Sequence, residues 1–300
     1  MTLIVIGGAT ASGKSALAVG LAHKLEAEIV SADSMQLYKG MDIGTAKLTL
    51  EEQEGSPHHL LSLVEVKNDV TVSWYQERAR AKIDELTAAG KDVILVGGTG
   101  LYIKSVLDDL NFPDTSPEVR ARLEVEALAE GNAVMHARLA ERDPAAAVAI
   151  PVENIRRVIR ALEVIEITGK PYTANLPREG SSKYPGAFHF AIETDRERLD
   201  ERINARVEKM WELGFVEEVR DLVRDGILEG RTAQAAIGYA QILAMASGQI
   251  TEDVAKEATK VATRQYVRRQ DTWFKRDERI TWLPTGANHV EAVLGSIIKA

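Results

Sequence analysis

The amino-acid sequence predicts an α/β protein, a doubly wound parallel sheet flanked by helices. Three apolar segments of strand length, residues 3–7, 28–32 and 93–96, alternate with segments of helical periodicity. Residues 12–26 place their apolar side chains on one side of a helix, and residues 73–89 form a helical segment closed by a glycine. Strands that alternate with helices in this order form a parallel sheet covered by those helices.

The periodicity changes at residues 111–117, a segment with two prolines that has the composition of a linker. From there to about Gly169 the apolar pattern is helical throughout, and a loop rich in Gly, Pro and Ser follows before strand character returns. We therefore predict an α/β core of residues 1–111 and 187–300, interrupted by an all-helical insertion of residues 112–186.

Composition excludes several function classes. The 300 residues are 45% hydrophobic and carry a net charge of −8, and none is cysteine, which rules out disulfides and thiolate chemistry. Among the six histidines only His58 and His59 are adjacent, so a histidine metal centre is not expected. No apolar run reaches a membrane-spanning length, and residues 1–6 predict a strand rather than a signal peptide. We expect a cytoplasmic monomer.

A phosphate-binding loop (P-loop) follows the first predicted strand and opens the first predicted helix, the context that the G-x-x-x-x-G-K-[ST] motif requires. Its glycines allow successive amides to point at phosphate oxygens, and the helix N-terminus adds positive potential. In this motif Lys14 reaches the outer phosphate and the Ser15 hydroxyl binds Mg²⁺. The predicted phosphate-binding residues are Gly8, Ala9, Thr10, Ala11, Ser12, Gly13, Lys14 and Ser15.

A P-loop predicts a phosphate-bearing ligand without specifying the reaction. Hydrolytic members of the class place a carboxylate after a neighbouring strand, yet strand 93–96 is followed by three glycines and Thr99. Asp33, directly after strand 28–32, is the nearest acid. Because ligands bind at the carboxyl edge of such sheets, Asp33 and Thr99 are candidate catalytic residues. Asp33 suits a general base, and its alternative role is that of a turn aspartate.

Basic residues recur at helical spacing in three places, which is the footprint of a polyanion-binding surface on an acidic protein. The alternative explanation for each group is a solvated helix face. The three groups are Arg198, Arg202, Arg206 and Lys209; Arg156, Arg157 and Arg160; and Arg264, Arg268, Lys275 and Arg279.

Over nearly its full length the sequence resembles the bacterial tRNA dimethylallyltransferase family. Ala9 stands where that family usually has proline, and Ala240 where a basic residue is common. The matching motifs are GATASGKS (8–15), SADSMQLY (31–38), MDIGTAK (41–47), PHHL (57–60), GGTGLY (97–102), RRVIRALE (156–163), GY (238–239) and TRQYVRRQ (263–270).

The resemblance implies a P-loop NTPase-like catalytic core that binds dimethylallyl diphosphate with Mg²⁺. The dimethylallyl group would pass to N6 of the adenosine at position 37 of tRNA, beside the anticodon, and diphosphate would leave. Asp33 would accept or orient the N6 proton, Thr99 would position the substrates, and Arg206 would lie near the leaving oxygen. Arg202, on the same predicted helix face, is the alternative for that last role.

The resemblance also implies that the core and the insertion together hold the anticodon stem-loop, with the target adenosine flipped out of its stack. The expected tRNA contacts are Asp33, Ser34, Met35, Gln36, Thr99, Arg120, Arg156, Arg157, Val158, Ile159, Arg160, Gly238, Tyr239, Gln241, Arg264 and Arg268.

Two other functions fit parts of the pattern. A P-loop kinase of a small metabolite would use the helical insertion as a lid, although the missing acid after residues 93–96 counts against it. A nucleotide-dependent RNA-binding module would bind RNA without covalent chemistry. The first would consume ATP, and the second would make no product.

Overall fold

The structure is a computed structural model that describes residues 1–175 and 182–298. Its residues form two compact units, one of Met1–Leu107 with Tyr184–Ala300 and one of Asp108–Lys183. The predicted loop of residues 169–186 lies partly outside the described residues.

The first unit contains a six-stranded sheet in the order β3-β2-β4-β1-β5-β6, and every neighbouring pair is parallel. The predicted parallel sheet is therefore confirmed. The strands are β1 (Leu3–Gly7), β2 (Glu28–Ser31), β3 (His58–His59), β4 (Val93–Gly97), β5 (Phe188–Ile192) and β6 (Ile280–Leu283).

Helices cover both faces of this sheet, as in a doubly wound fold. The helices of the first unit are α1 (Lys14–Leu25), α2 (Val72–Ala88), α3 (Gly100–Leu107), α8 (Arg196–Glu212), α9 (Phe215–Arg224), α10 (Tyr239–Ala246), α11 (Glu252–Phe274) and α12 (His289–Ile298). The helices of the second unit are α4 (Pro117–Glu130), α5 (Asn132–Arg142), α6 (Pro144–Ala149) and α7 (Ile155–Thr168).

The central strands are apolar on both sides because each side faces a separate core. Ile4 and Ile94 point into a core shared with α1 and α12, whereas Val5 and Leu95 point into one shared with α2 and α3. Burial on both faces explains why these strands are continuous apolar runs in the sequence. The arrangement leaves the carboxyl ends of β1, β2 and β4 as the edge that carries the connecting loops.

The carboxyl ends of β2 and β4 approach each other closely. The Ala32 amide donates to the Val96 carbonyl at 2.7 Å, and the Thr99 amide donates to the Ala32 carbonyl at 3.3 Å. A Cβ at Gly97 would lie 2.1 Å from the Ala32 carbonyl oxygen, so only glycine fits there. This contact brings the segment after β2, which begins with Asp33, against the segment after β4, which contains Thr99.

Gly97→Ala is expected to destabilise the protein by about 1–3 kcal/mol, since the new methyl group meets backbone that cannot rotate away. Urea unfolding measures the difference. Gly186→Ala is the control, because a Cβ there meets nothing within 4 Å. Equal unfolding midpoints for the two variants would contradict the close approach of β2 and β4.

In the described part of residues 108–183, the regular elements are α4–α7 and one 3-10 turn, Tyr172–Asn175, joined by irregular segments and accompanied by one isolated bridge. Ser116 caps α4 by accepting from the Val119 amide, and Asp143 caps α6 by accepting from the Ala146 amide. The all-helical character predicted for the insertion is thus observed. Its core consists of Leu123, Met135, Leu139, Ala146, Ala147, Ile150, Val158, Ile159, Ala161 and Leu162.

His58 and His59, the adjacent histidines, form the two-residue edge strand β3 beside β2. Within the described residues, no helix is both long and apolar enough to cross a membrane.

Candidate active site

The predicted phosphate-binding residues form a tight loop between β1 and α1. Gly8 and Gly13 have φ values of 136° and 98°, which residues with side chains rarely adopt. Gly13 is the N-cap of α1, and Lys14 is its first residue. The loop amides and the positive end of the helix dipole therefore share one place at the carboxyl edge of β1, where they suit an anion.

Small side chains anchor the loop to the protein. Ala9 and Ala11 are buried and pack against Leu199 and Ile203 of α8 and Val267 of α11. Both alanines are small enough to lie against α8 and α11 at once. The loop is therefore fixed by packing as well as by its glycines.

Lys14, Asp33 and Arg206 lie close enough to influence one another electrostatically. The Lys14 ammonium is buried and donates to the Ala9 carbonyl at 3.1 Å. Burial lowers the pKa of Lys14 to about 8, the Asp33 carboxylate opposes that shift, and Arg206 adds to it. Burial also lowers the pKa of the Arg206 guanidinium. Two positive charges beside the phosphate loop would attract an anionic ligand.

The lowered pKa of Lys14 predicts a pH dependence of anion binding. Near pH 7 the amine is mostly charged, and near pH 9 it is mostly neutral, whereas arginine stays charged at both. The affinity for inorganic diphosphate without Mg²⁺ is expected to fall up to about tenfold more over this range in the wild type than in Lys14→Arg. Calorimetric titration gives both affinities. If the ratio of the wild-type affinity to the Lys14→Arg affinity does not change with pH, the lowered pKa of Lys14 is contradicted.

Asp33 and Thr99 belong to one hydrogen-bonded turn. One carboxylate oxygen of Asp33 accepts from the Met35 and Gln36 amides at 2.9 and 3.4 Å. Asp33 therefore does stabilise a turn, the alternative role considered for it above. The Thr99 hydroxyl accepts from the Ser34 amide at 3.2 Å. Because the turn uses one carboxylate oxygen, the other is available for a ligand.

A cavity of about 300 Å³ is lined by Asp33 and Ser34 of this turn and by Thr10 of the phosphate loop. Thr10, Asp33, Ser34, Arg206 and Arg269 are among its polar lining residues. Its other walls are largely apolar. The apolar lining residues are Met35, Ile203, Val207, Met210, Phe215, Ala235, Ala236 and Ile237.

The basic face predicted on α8 divides between two cavities. Arg206 lines the cavity that contains Asp33, whereas Arg198 and Arg202 line a second cavity of about 430 Å³ with Ser12. Arg202 also donates to the Ala11 carbonyl at 3.4 Å. Of the two arginines considered for the leaving group, only Arg206 shares a cavity with Asp33.

Glu218 on α9 organises another wall of the cavity, and the sequence analysis did not identify it. Its carboxylate accepts from the amides of Asp42, Ile43 and Gly44 at 2.6–3.2 Å and from the Tyr239 hydroxyl at 2.6 Å. Burial is the larger cause that raises the pKa of Tyr239 well above its usual value, and the nearby Glu218 carboxylate adds to the shift.

Tyr239, one of the expected tRNA contacts, has a fully buried side chain in the cavity wall, and its contact with tRNA stays a prediction. Gly238 and Gln241 form a local cap in which the Gln241 side chain accepts from the Gly238 amide. Gln36 similarly bonds Ser31 and the Thr45 carbonyl, and it lines a small pocket with Lys14, Ser15, Asp33 and His58.

In the helical unit, several predicted tRNA contacts are engaged internally. Arg120 and Arg160 both bind the fully buried Glu163 carboxylate, at 2.6 and 3.0 Å. Val158 and Ile159 are also expected tRNA contacts, and their side chains lie in the core of this unit; their contact with tRNA stays a prediction.

The exposed arginines are a smaller set than predicted. Arg156 and Arg157 of α7 are exposed, and no ion pair involves them within the described parts of the chain. On α11, Arg268 is exposed, whereas Arg264 is bound to Asn204 and Glu257. Of the six arginines expected to contact tRNA, Arg156, Arg157 and Arg268 are therefore the ones classed as exposed.

The IPP transferase family model matches residues 36–277 of the chain. The chain belongs to this family. The tRNA dimethylallyltransferase of Thermobifida fusca (strain YX) is 55% identical over 291 residues, which cover 95% of this chain and 91% of that protein. That of Streptomyces griseus subsp. griseus is 54% identical over 284 residues, with 95% and 90% covered.

Solved structures agree with this assignment. Full-length tRNA isopentenylpyrophosphate transferase from Bacillus halodurans has a TM-score of 0.73 at 36% identity, covering 99% of this chain and 96% of that one. A eukaryotic dimethylallyltransferase described as acting on tRNA has a TM-score of 0.84 at 26% identity, covering 100% and 80%. The predicted family and the prediction of a prenyltransferase enzyme are thereby confirmed, and the roles of individual residues stay predictions.

Proposed function

We propose that this IPP transferase moves a dimethylallyl group from dimethylallyl diphosphate to N6 of the adenosine at position 37 of tRNA, next to the anticodon, and releases diphosphate. The observation that carries the proposal is the single cavity that joins Asp33 and Arg206 to Thr10 of the phosphate loop. The relatives from Thermobifida fusca and Streptomyces griseus are named tRNA dimethylallyltransferase, which supports the same reaction.

Departure of diphosphate is the difficult step. The lone pair of adenine N6 is delocalised into the ring, so the amine is a weak nucleophile and the leaving group must be stabilised strongly. In this proposal the Lys14 and Arg206 cations, which lie close enough to influence each other, and the N-terminus of α1 stabilise the negative charge that grows as the carbon–oxygen bond breaks. Charges fixed in advance stabilise such a transition state without reorganisation.

Asp33 takes the proton that N6 loses. As the bond from N6 to the allylic carbon forms and the bond from that carbon to the diphosphate oxygen breaks, one N6 proton passes to the Asp33 carboxylate. The turn holds one oxygen of this carboxylate on backbone amides, which fixes the direction of the other. Thr99, bound to Ser34, holds the adjoining loop in place and positions the substrates.

The apolar walls suit the hydrocarbon chain. Ile203, Val207 and Met210 of α8 line the same cavity as the polar groups. Contact with them buries the dimethylallyl group and keeps water away from the allylic carbon, where hydrolysis would compete with transfer. An enclosed apolar pocket with a few polar groups is typical of such small-molecule sites.

Mg²⁺ fits the residues present. Ser15 and Asp33 line one small pocket with Lys14, and hydroxyl and carboxylate oxygens together with phosphate oxygens are the ligands that Mg²⁺ uses. When bound, the ion would neutralise diphosphate charge. No group of three or more His, Cys, Asp or Glu side chains in the described ranges is arranged to hold a metal ion on its own.

We propose that a single copy of the chain, in the cytoplasm, holds the anticodon stem-loop through Arg156, Arg157 and Arg268. Replacing any one with alanine is expected to weaken tRNA binding and to reduce the slope of log affinity against log salt by about one. Lys24→Ala is the matched control, since Lys24 lies in the last turn of α1, away from the edge that carries the phosphate loop. The affinity for tRNA is measured at several salt concentrations for each variant. A slope equal to that of the wild type would show that the replaced arginine does not contact tRNA phosphate.

A transfer assay tests the proposed function. The protein is incubated with labelled dimethylallyl diphosphate, Mg²⁺ and an unmodified tRNA transcript, with and without a guanosine substitution at position 37. We expect label in the RNA only when the adenosine is present. ATP turnover without label would favour the metabolite kinase, and nucleotide-dependent RNA binding without product would favour the binding module.

A further inference from the structure

Gln270, near the end of α11, is a buried polar residue that the proposed mechanism does not use. Its side-chain nitrogen donates to the Gly98 carbonyl at 2.9 Å, and its side-chain oxygen accepts from the Thr10 amide at 2.9 Å. Only 5% of its surface is exposed. The two partners are of opposite kinds, a carbonyl and an amide, so the orientation of the side-chain amide is determined.

These two bonds join the two halves of the candidate site. Thr10 belongs to the phosphate loop and lines the cavity, whereas Gly98 directly precedes Thr99. Thr99 in turn bonds the Ser34 amide, in the turn that Asp33 begins. Gln270 is therefore one side chain placed between the segment proposed to hold diphosphate and the segment proposed to hold the acceptor amine.

The backbone is shaped to receive this helix end. A Cβ at Gly98 would lie 2.4 Å from the Gln270 side-chain nitrogen. A Cβ at Gly7 would lie 2.6 Å from the Phe274 ring, and a Cβ at Gly100 would lie 2.1 Å from the Trp273 ring. Three glycines at the ends of β1 and β4 thus let α11 rest directly on the backbone of both loops.

We propose that Gln270 is a positioning residue for the transfer reaction, an inference that rests on the proposed function. Displacement at the allylic carbon needs N6, that carbon and the leaving oxygen in line, and a misplacement of about 1 Å costs on the order of a hundredfold in rate. Because Gln270 binds backbone in both loops, it sets the spacing between them, and it does so without touching either substrate.

Two variants of similar size test the proposal. Gln270→Met keeps the length of the side chain and removes both hydrogen bonds. Gln270→Glu keeps the acceptor for Thr10 and places an oxygen against the Gly98 carbonyl. Both are expected to lower kcat for dimethylallyl transfer about a hundredfold, while KM for tRNA and for dimethylallyl diphosphate stays within about threefold of the wild type. Gln265→Met, exposed on the same helix, is the control and is expected to match the wild type.

The split between kcat and KM separates positioning from general damage, and thermal unfolding checks that each variant is folded. If Gln270→Met does not fold, the kcat and KM of Gln270→Glu test the proposal. Wild-type kcat in either folded variant, or a raised KM with unchanged kcat, would overturn the proposal, because size alone or binding alone would then explain the residue. A wild-type protein that transfers no label would overturn the proposed function itself and this inference with it.

Discussion

Asp33→Asn is expected to lower kcat for transfer by about 10²–10⁴-fold while tRNA affinity stays at the wild-type level. Asparagine keeps a side-chain oxygen for the Met35 and Gln36 amides, so the turn survives and only the charge is lost. A neutral amide cannot take the N6 proton. The size of the loss therefore reports on proton acceptance rather than on the shape of the turn.

Single-turnover transfer and tRNA binding measured on the same preparation check this prediction. Asp33→Ala is the companion variant, since it removes both the charge and the turn acceptor and should also lower the unfolding midpoint. If Asp33→Asn transfers at the wild-type rate, Asp33 is a turn residue only. If both functions fail together, the carboxylate serves tRNA binding.

Arg206→Met is expected to reduce kcat/KM for transfer by about 10²–10³-fold, because a buried cation next to the departing diphosphate is lost. Methionine fills much of the same volume, so the apolar wall formed with Ile203 and Val207 is retained. Arg206→Lys should recover part of the rate, since it restores the charge without the planar guanidinium.

Arg202→Met provides the comparison on the same helix. Arg202 lines the second cavity and bonds the Ala11 carbonyl, so its loss should cost much less than the loss of Arg206. Steady-state kinetics with varied dimethylallyl diphosphate measure both. A larger defect for Arg202 than for Arg206 would place the leaving group in the second cavity.

The fold was largely predictable because its main signals are local. The central strands are continuous apolar runs, and the phosphate loop is a contiguous motif. The elements that were missed carry weaker signals. β3 is only two histidines, and it counts as a strand only through its pairing with Ile29 and Val30. α3 begins with Gly100 in a segment with three glycines, which are poor helix formers, so its start carries no helix signal.

The site was predictable where a residue directly follows a strand, as Asp33 and Thr99 do. Gln270, Glu218 and Arg269 could not be placed, because their partners are far away along the chain and only the packing of α9 and α11 brings them to the cavity. Gln270 did lie in a motif that matched the family, which marked the segment without indicating what the residue bonds.

The basic residues of the insertion illustrate the limit of reading charge alone. Arg160 and Glu163 are three positions apart on α7, a spacing that already allows an ion pair. Arg120 joins the same carboxylate from α4, a contact that no local pattern reveals. Arg120 and Arg160 are therefore held in an ion-pair network around the buried Glu163 carboxylate. Arg156 and Arg157 are the exposed arginines of this group.

The central proposal for this enzyme is that the phosphate loop binds the departing diphosphate. The most direct measurement follows diphosphate release and dimethylallylated RNA in the same reaction, without any nucleoside triphosphate. We expect equal amounts of the two products, formed at the same rate and only with tRNA present. A requirement for ATP, or diphosphate formed without modified RNA, would contradict it.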